Sequence, residues 1–257
     1  MNRFLASLVF LFFWDTKTIF IWSILYCLAT LITAIFSLFL VIKVIDFPQF
    51  NLSNILSDLR QGCSFSVGTS AQNIYNDLDK AMLGKLSTVK SAGIYGAAYQ
   101  ILNVALTPIQ SLAIASFRDF FKQGSVGIKG SFNYGKKLVP LSFTYSLLII
   151  IGLLIFAPVL PKLIGNQYSD SVIALMWLSP AVLFRALQIL AANILTGANY
   201  QMTRSLNQVL IAMLNGVLNF WLIPLYQWHG AIWATLISEL ILMISLWGSV
   251  YIYFKKA

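Results

Sequence analysis

An all-α bundle of membrane-spanning helices is the fold this chain of 257 residues predicts, and three observations carry that expectation. Hydrophobic residues make up 59% of it and charged residues only 10%, whereas soluble globular domains run to about 45–50% apolar and about 25% charged. Mean hydropathy is +0.80. Apolar runs of the roughly 17–25 residues needed to cross about 30 Å of hydrocarbon recur along the chain, joined by short links.

Taken in order, the runs lie near 18–42, 62–84, 92–116, 138–160, 171–197, 204–226 and 229–254, which makes seven full transmembrane helices. Before them, Phe4 to Trp14 is an apolar run of 11 residues with no small-residue cleavage site behind it. It reads as a clipped crossing rather than a signal-peptide core. Between the first two runs, Leu52, Ile55, Leu56 and Leu59 follow Pro48 at helical spacing, which predicts a short interfacial helix. The domain plan is therefore two helices over residues 1–45, the first of them incomplete, a cytoplasmic linker over 46–61, and a six-helix bundle over 62–257.

The second run is the unusual one, because Ser66, Thr69, Ser70, Gln72, Asn73, Asn76, Asp77, Asp79 and Lys80 crowd into it. At about 100° per residue, Thr69, Asn73, Asn76, Asp77 and Lys80 share one side of a helix, and Val67, Ala71, Ile74, Leu78 and Met82 the other. A charge at mid-bilayer costs roughly 2.5–3.5 kcal/mol on insertion scales, so such groups pair or line a hydrated cavity. Later runs add Pro108 and Pro180, where kinks are expected. Gly93, Gly96, Ala97 and Ala98 open the third run with small residues suited to close helix approach. The basic stretch from Arg118 to Lys137, interrupted by Gly124, Gly127, Gly130 and Gly135, is expected to be a mobile loop against anionic headgroups.

Orientation follows the Lys and Arg residues of the short links, which stay cytoplasmic. Lys43, Arg60, Arg118, Lys122, Lys129, Lys136, Lys137, Arg204, Lys255 and Lys256 fall on one side, against Lys17, Lys85, Lys90 and Lys162 on the other. The C-terminus is thus expected in the cytoplasm. With Arg3 added to the cytoplasmic set, the N-terminus joins it and there are eight crossings.

Several function classes find nothing to work with. The net charge of +9 is scattered over short links with no motif to present it to nucleic acid. Cys27 and Cys63 show neither metal-ligand spacing nor a disulfide framework and read as small packing residues. The single His229 stands beside Gly230 in a turn between the last two runs, with no Ser or Cys motif linked to it. Asp77 and Asp79 are two apart and point to different helix faces, which does not suit paired acid and base work. No enzyme, cofactor or metal is expected. The intramembrane polar residues Asn73, Asp77, Asp79, Lys80, Arg185 and Glu239 remain, and they are the candidate transport pathway. Arg185 is too deep to snorkel, so it needs a carboxylate such as Asp77 or Glu239, or an anionic substrate group that it receives together with Lys80. An ion pair that opens to admit an anion satisfies both readings.

Asp77-Leu78-Asp79-Lys80-Ala81-Met82-Leu83-Gly84, followed by Ala92-Gly93-Ile94-Tyr95-Gly96-Ala97-Ala98-Tyr99-Gln100-Ile101, resembles the start of the second half of the polysaccharide flippases. These are the Wzx-type O-antigen translocases of the multidrug/oligosaccharidyl-lipid/polysaccharide exporter superfamily. The stretch from Asn215 through Leu218-Asn219-Phe220-Trp221-Leu222-Ile223-Pro224-Leu225-Tyr226 to His229-Gly230-Ala231 resembles the family's ending, with Gln227 and Trp228 where a glycine is usual. The similarity runs from about Asn51 to the end, and by that likeness the chain as a whole corresponds to the last eight helices of a twelve-helix exporter, residues 1–45 being the last two helices of the N-terminal bundle. The resemblance implies a flippase, here amino-terminally incomplete, that moves an undecaprenyl-diphosphate-linked oligosaccharide across the bacterial inner membrane by alternating access, its head held in a cationic cavity. It implies the lipid-linked oligosaccharide and membrane lipids as partners, with a polysaccharide polymerase and a chain-length regulator beside them. Two other readings stay open: a drug or cation antiporter of the same superfamily, and a membrane-embedded polymerase or acyltransferase. The second has neither a long periplasmic loop nor a His-centred motif to support it. A membrane interaction protein without transport completes the set.

Overall fold

A computed structural model describes residues 19–45, 70, 77–159, 161–162, 165 and 169–257, and every regular element among them is helical. The chain divides into two compact units, Met1–Ser57 and Asp58–Ala257. In the first, helix α1 (Ile19–Ile45) realises the first full apolar run. Two of its hydroxyls bond within the helix, Thr30 donating to the Cys27 carbonyl at 2.8 Å and the buried Thr33 to the Thr30 carbonyl at 2.9 Å. Cys27 is exposed on this helix and does not pack as a core residue. The Phe4–Trp14 run, the interfacial helix over 46–60, Cys63, and the part of the second run before residue 77 lie outside the described residues, Ser70 excepted.

The second unit comprises α2 (77–86), α3 (Val89–Ala115), α4 (Phe117–Gly124), α5 (Ile128–Phe156, continued by a 3-10 turn over Ala157–Val159), α6 (Ser169–Leu178), α7 (Ala181–Gly197), α8 (Gln201–Tyr226) and α9 (Trp228–Lys256). Val89–Gly124, Ile128–Val159, Gln201–Tyr226 and Trp228–Lys256 are each long and apolar enough to cross a membrane, and α6 with α7 makes a fifth, bent span. This is an all-α, multi-pass membrane bundle.

The boundaries have local causes. Thr88 is extended (φ −127, ψ 152), and its hydroxyl caps α3 by accepting from the Ser91 N–H at 3.1 Å. Pro180 cannot donate to the Met176 carbonyl four residues back, and the span breaks there with a bend of 42°. The Ser179 hydroxyl donates to that same Met176 carbonyl at 2.8 Å, so the freed acceptor is not left bare. Pro108, by contrast, sits inside an unbroken α3. Gln227, at φ 53, turns the chain alone between α8 and α9. His229 therefore lies in the first turn of α9, stacked on Trp228 with ring centroids 3.5 Å apart, and not in a loop.

The expected mobile loop over Arg118–Lys137 is helical instead. Its glycines are approach points between backbones: a Cβ on Gly124 would stand 2.0 Å from the Gly197 carbonyl oxygen, and one on Gly197 2.5 Å from that of Phe120. Gly135 gives way to the Ile194 side chain, where a Cβ would meet Cδ1 at 2.6 Å. Only Gly127, at φ 104, is needed for its backbone conformation, in the turn between α4 and α5. Gly93 and Gly96, expected to be the close-contact residues, face open space, so the tight crossing is made by α4 and α7. Gly197→Ala should therefore destabilise the bundle by about 1–3 kcal/mol through overpacking, whereas Gly96→Ala should be neutral to stabilising by about 0.5–1 kcal/mol. Thermal midpoints of the two variants in detergent check the contrast, and equal midpoints would refute it.

Two apolar cores stack along α7 and α9. One gathers Leu83, Tyr95, Tyr99, Leu175, Val182, Ala186 and Ile232; the other gathers Phe120, Ile128, Leu190, Ile194, Leu242 and Leu246. Between them along these helices lies a belt of buried polar residues that includes Arg185, Gln188, Asn215, Asn219, Thr235, Ser238 and Glu239. On α8 and α9 part of this belt is an interhelical seam: Asn215 donates across to Ser238 at 3.3 Å, and within α8 Asn219 donates to Asn215 at 2.9 Å. Toward the other end Ser245 donates to Asn207, and Asn207 to Ser249 at 3.2 Å. Such cross-helix hydrogen bonds supply association that hydrophobicity cannot supply in lipid.

Candidate functional site

Helix α2 enters the bundle with the face that amphipathic reasoning left unassigned. Over 77–86 the buried side chains are Asp79 and Leu83. Asp77 is 76% exposed and ion-pairs with Lys80 on its own helix at 2.7 Å, Lys80 being 32% exposed. Of the expected polar face, Asp77 thus looks away from the packed interior and Lys80 lies half-buried at its edge; on α2 a carboxylate is buried only where hydroxyls meet it. At Asp79 they do. Its Oδ2 accepts from the Tyr95 hydroxyl on α3 and from the Thr235 hydroxyl on α9, the latter at 3.1 Å. Its Oδ1 has no hydrogen-bond partner among the described residues.

One turn along α3, the Tyr99 ring links this acid to the arginine. The Tyr95 and Tyr99 ring centroids are 5.6 Å apart. Lys80 Nζ lies 4.4 Å and the Arg185 guanidinium carbon 4.9 Å from the Tyr99 centroid, both within cation–π range. Arg185 is bound on every side: Nε donates to Glu239 Oε1 at 2.6 Å, Nη2 to the Tyr99 hydroxyl at 2.6 Å, and Nη1 to Asn103 Oδ1 at 3.3 Å. Gln188 completes the acid, donating to Glu239 Oε2 at 2.6 Å and to the Glu239 carbonyl at 2.7 Å. Of the two carboxylates expected to pair with Arg185, Glu239 does so and Asp77 does not. Asn73 lies outside the described residues.

Beside this network opens a cavity of about 200 Å³. Its walls are Asn103 and Gln110 from α3, Arg185, Gln188 and Asn193 from α7, and Arg204 and Gln208 from α8, closed by Leu242 and Leu246 of α9. Arg204, assigned from sequence to a cytoplasmic link, lies in the first turn of α8 and donates to the Thr196 hydroxyl at 2.9 Å. Among the described residues no carboxylate lies within ion-pair distance of it, and none lines the cavity. The lining is two guanidinium groups, amides and aliphatic carbon, which suits a compact anion with hydrogen-bond acceptors. The neutral members escaped the sequence reading, which followed charges. Part of their spacing was available: Asn103 and Gln110 are seven apart, Arg185 and Gln188 three, and Arg204 and Gln208 four, so each of these pairs falls on one helical face, whereas Asn193, five after Gln188, does not follow that pattern. Among the described residues no cluster of His, Cys, Asp and Glu could hold a metal ion.

Fold and site together define a multi-pass membrane protein with a cavity lined by two arginines and several amides inside its helical bundle. Residues 2–117 match the family described as Polysaccharide biosynthesis protein, a little under half of the chain, and bear out the likeness to polysaccharide flippases read from the sequence. The match includes α2 and α3, with Asp79, Tyr95, Tyr99 and Asn103, and ends before α5 to α9. It supports a role in polysaccharide biosynthesis or export. No curated protein and no solved structure matches the chain significantly.

Proposed function

We propose that the chain serves in translocating a lipid-linked oligosaccharide, carried on an undecaprenyl diphosphate, across the bacterial inner membrane. The observation that carries this reading is the cavity bearing Arg185 and Arg204, with no carboxylate among its described lining residues, set in a membrane bundle. A diphosphate supplies the oxygens that two guanidinium forks and several amides would bind. The Arg185–Glu239 pair is the two-state element: an entering phosphate competes with Glu239 for Arg185, and its departure restores the pair. That exchange gives alternating access a local chemical basis. The C-terminus is cytoplasmic in this proposal, and a polysaccharide polymerase and a chain-length regulator act on the delivered product.

Arg204→Gln is the test, because it removes one cation without breaking the Arg185–Glu239 pair. In a flippase-deficient strain the wild-type chain should restore surface polysaccharide, and Arg204→Gln should lower it at least about tenfold, the effect of losing a charged hydrogen bond of about 1.5–3 kcal/mol. Membrane levels should be unchanged. Normal surface polysaccharide in the variant, or no restoration by the wild-type chain, overturns the proposal. A reporter fused after Ala257 should be active on the cytoplasmic side, and periplasmic activity would reverse the orientation.

A further inference from the structure

A second cavity of about 310 Å³ opens between α5 and α9, away from the arginines. Phe132, Lys136, Val139 and Pro140 form its α5 wall, and Trp247 its α9 wall. The α5 residues recur at steps of four, three and one, a single stripe along the helix. Four of the five are apolar, and the fifth is a lysine that is exposed. Phe132 packs on Phe254 with centroids 4.8 Å apart, so the start of α5 lies beside the end of α9. That contact gathers Lys129, Lys136, Lys137, Lys255 and Lys256 at one end of the bundle. Neither α5 nor the part of α9 after Glu239 contains an acid, and the nearby Asp119 of α4 accepts a hydrogen bond from Tyr134 at 3.1 Å.

We infer that this groove is a binding site for one anionic phospholipid, whose acyl chain lies along Val139, Pro140 and Trp247 and whose phosphate meets Lys136. Three features select this occupant. The groove is part of the outer surface of a membrane bundle, where lipid is the solvent. Next to its apolar residues Val139 and Pro140, one turn toward the start of α5, stands the cation Lys136, with Phe132 a further turn on, so an acyl chain and a headgroup each find a matching stretch. The surrounding excess of lysine favours negative headgroups over zwitterionic ones, each cation near such a surface adding attraction. The site also touches the anion cavity at one remove. Trp247 walls the groove and donates its indole N–H to the Leu187 carbonyl at 3.2 Å, between Arg185 and Gln188, while its neighbour Leu246 lines the arginine cavity. A chain filling the groove holds the indole in place against α7.

The test uses the full chain purified in a mild detergent and mixed with phosphatidylglycerol or phosphatidylcholine, with retained lipid counted by native mass spectrometry. Wild type should retain the glycerol lipid over the choline lipid by about fivefold, the effect of one well-placed cation. Lys136→Gln should erase that preference while leaving phosphatidylcholine retention as it was. Val139→Trp, which fills the groove from a helix that otherwise stays intact, should reduce retention of both. Lys255→Gln should leave the preference in place. The inference is overturned if wild type shows no preference, if Lys136→Gln keeps it, if Val139→Trp retains lipid like wild type, or if Lys255→Gln erases the preference as fully as Lys136→Gln.

Discussion

Glu239→Ala is expected to cost the bundle about 3–5 kcal/mol, the toll of leaving a buried charge without its partner. Glu239 is 1% exposed and receives three hydrogen bonds, two of them to its carboxylate, from Arg185 and Gln188. Truncation strips Arg185 of its only carboxylate within 4 Å among the described residues. Glu239→Gln should be milder without being silent. Its amide oxygen can still accept from Arg185, but its amide N–H groups then oppose the Gln188 donor. Replacing both charges, as in Arg185→Met with Glu239→Leu, should recover much of the loss in stability, because the solvation penalty of the arginine disappears with it. Thermal midpoints of the three variants in detergent give the comparison. A Glu239→Ala protein as stable as wild type would show that the pair does not hold the bundle.

Tyr95→Phe should destabilise by about 2–3 kcal/mol, near the upper end for a buried acceptor losing its donor. Asp79 is 2% exposed, and its Oδ1 has no hydrogen-bond partner among the described residues. Removing the Tyr95 hydroxyl leaves Thr235 as the carboxylate's side-chain donor among the described residues. Combining Tyr95→Phe with Asp79→Asn should cost less than the sum of the two single changes, since an amide is cheaper to bury than an anion and the two residues share one contact. The double-mutant cycle decides the matter: strictly additive losses would mean that the hydroxyl and the carboxylate do not act on each other.

How far the sequence reached depended on what each residue type must do. Run length alone located α1, α3, α8 and α9, because a helix in hydrocarbon has no alternative way to satisfy its backbone. α5 begins ten residues before its apolar run does, since Lys129, Asn133, Lys136 and Lys137 look like loop in composition while Ile128, Ser131 and Gly135 bury a helical face among them. The pairing of Arg185 was legible from scarcity: a deep arginine needs an anion, and few were on offer. Asp79 was harder, for its neutralising hydroxyls come from Tyr95 and Thr235, sixteen and 156 positions away. Arg204 stood at the very start of its apolar run and was counted with the preceding link; its place in the first helical turn, bonded to Thr196, comes from the fold. The amides of the arginine cavity carry no charge to draw attention, and only their helical spacing recorded which way they face.

The interruption at Ser179 and Pro180 has a bearing on how the molecule can move. A helix that loses a backbone donor at hydrocarbon depth normally resists flexing, because any further opening bares carbonyl oxygens to an oily surrounding. Here the serine hydroxyl occupies the vacated acceptor at 2.8 Å, so the joint is already sealed against that penalty. The break ahead of the segment bearing Val182, Arg185 and Gln188 is therefore the place where this span can bend with the freed Met176 carbonyl still covered.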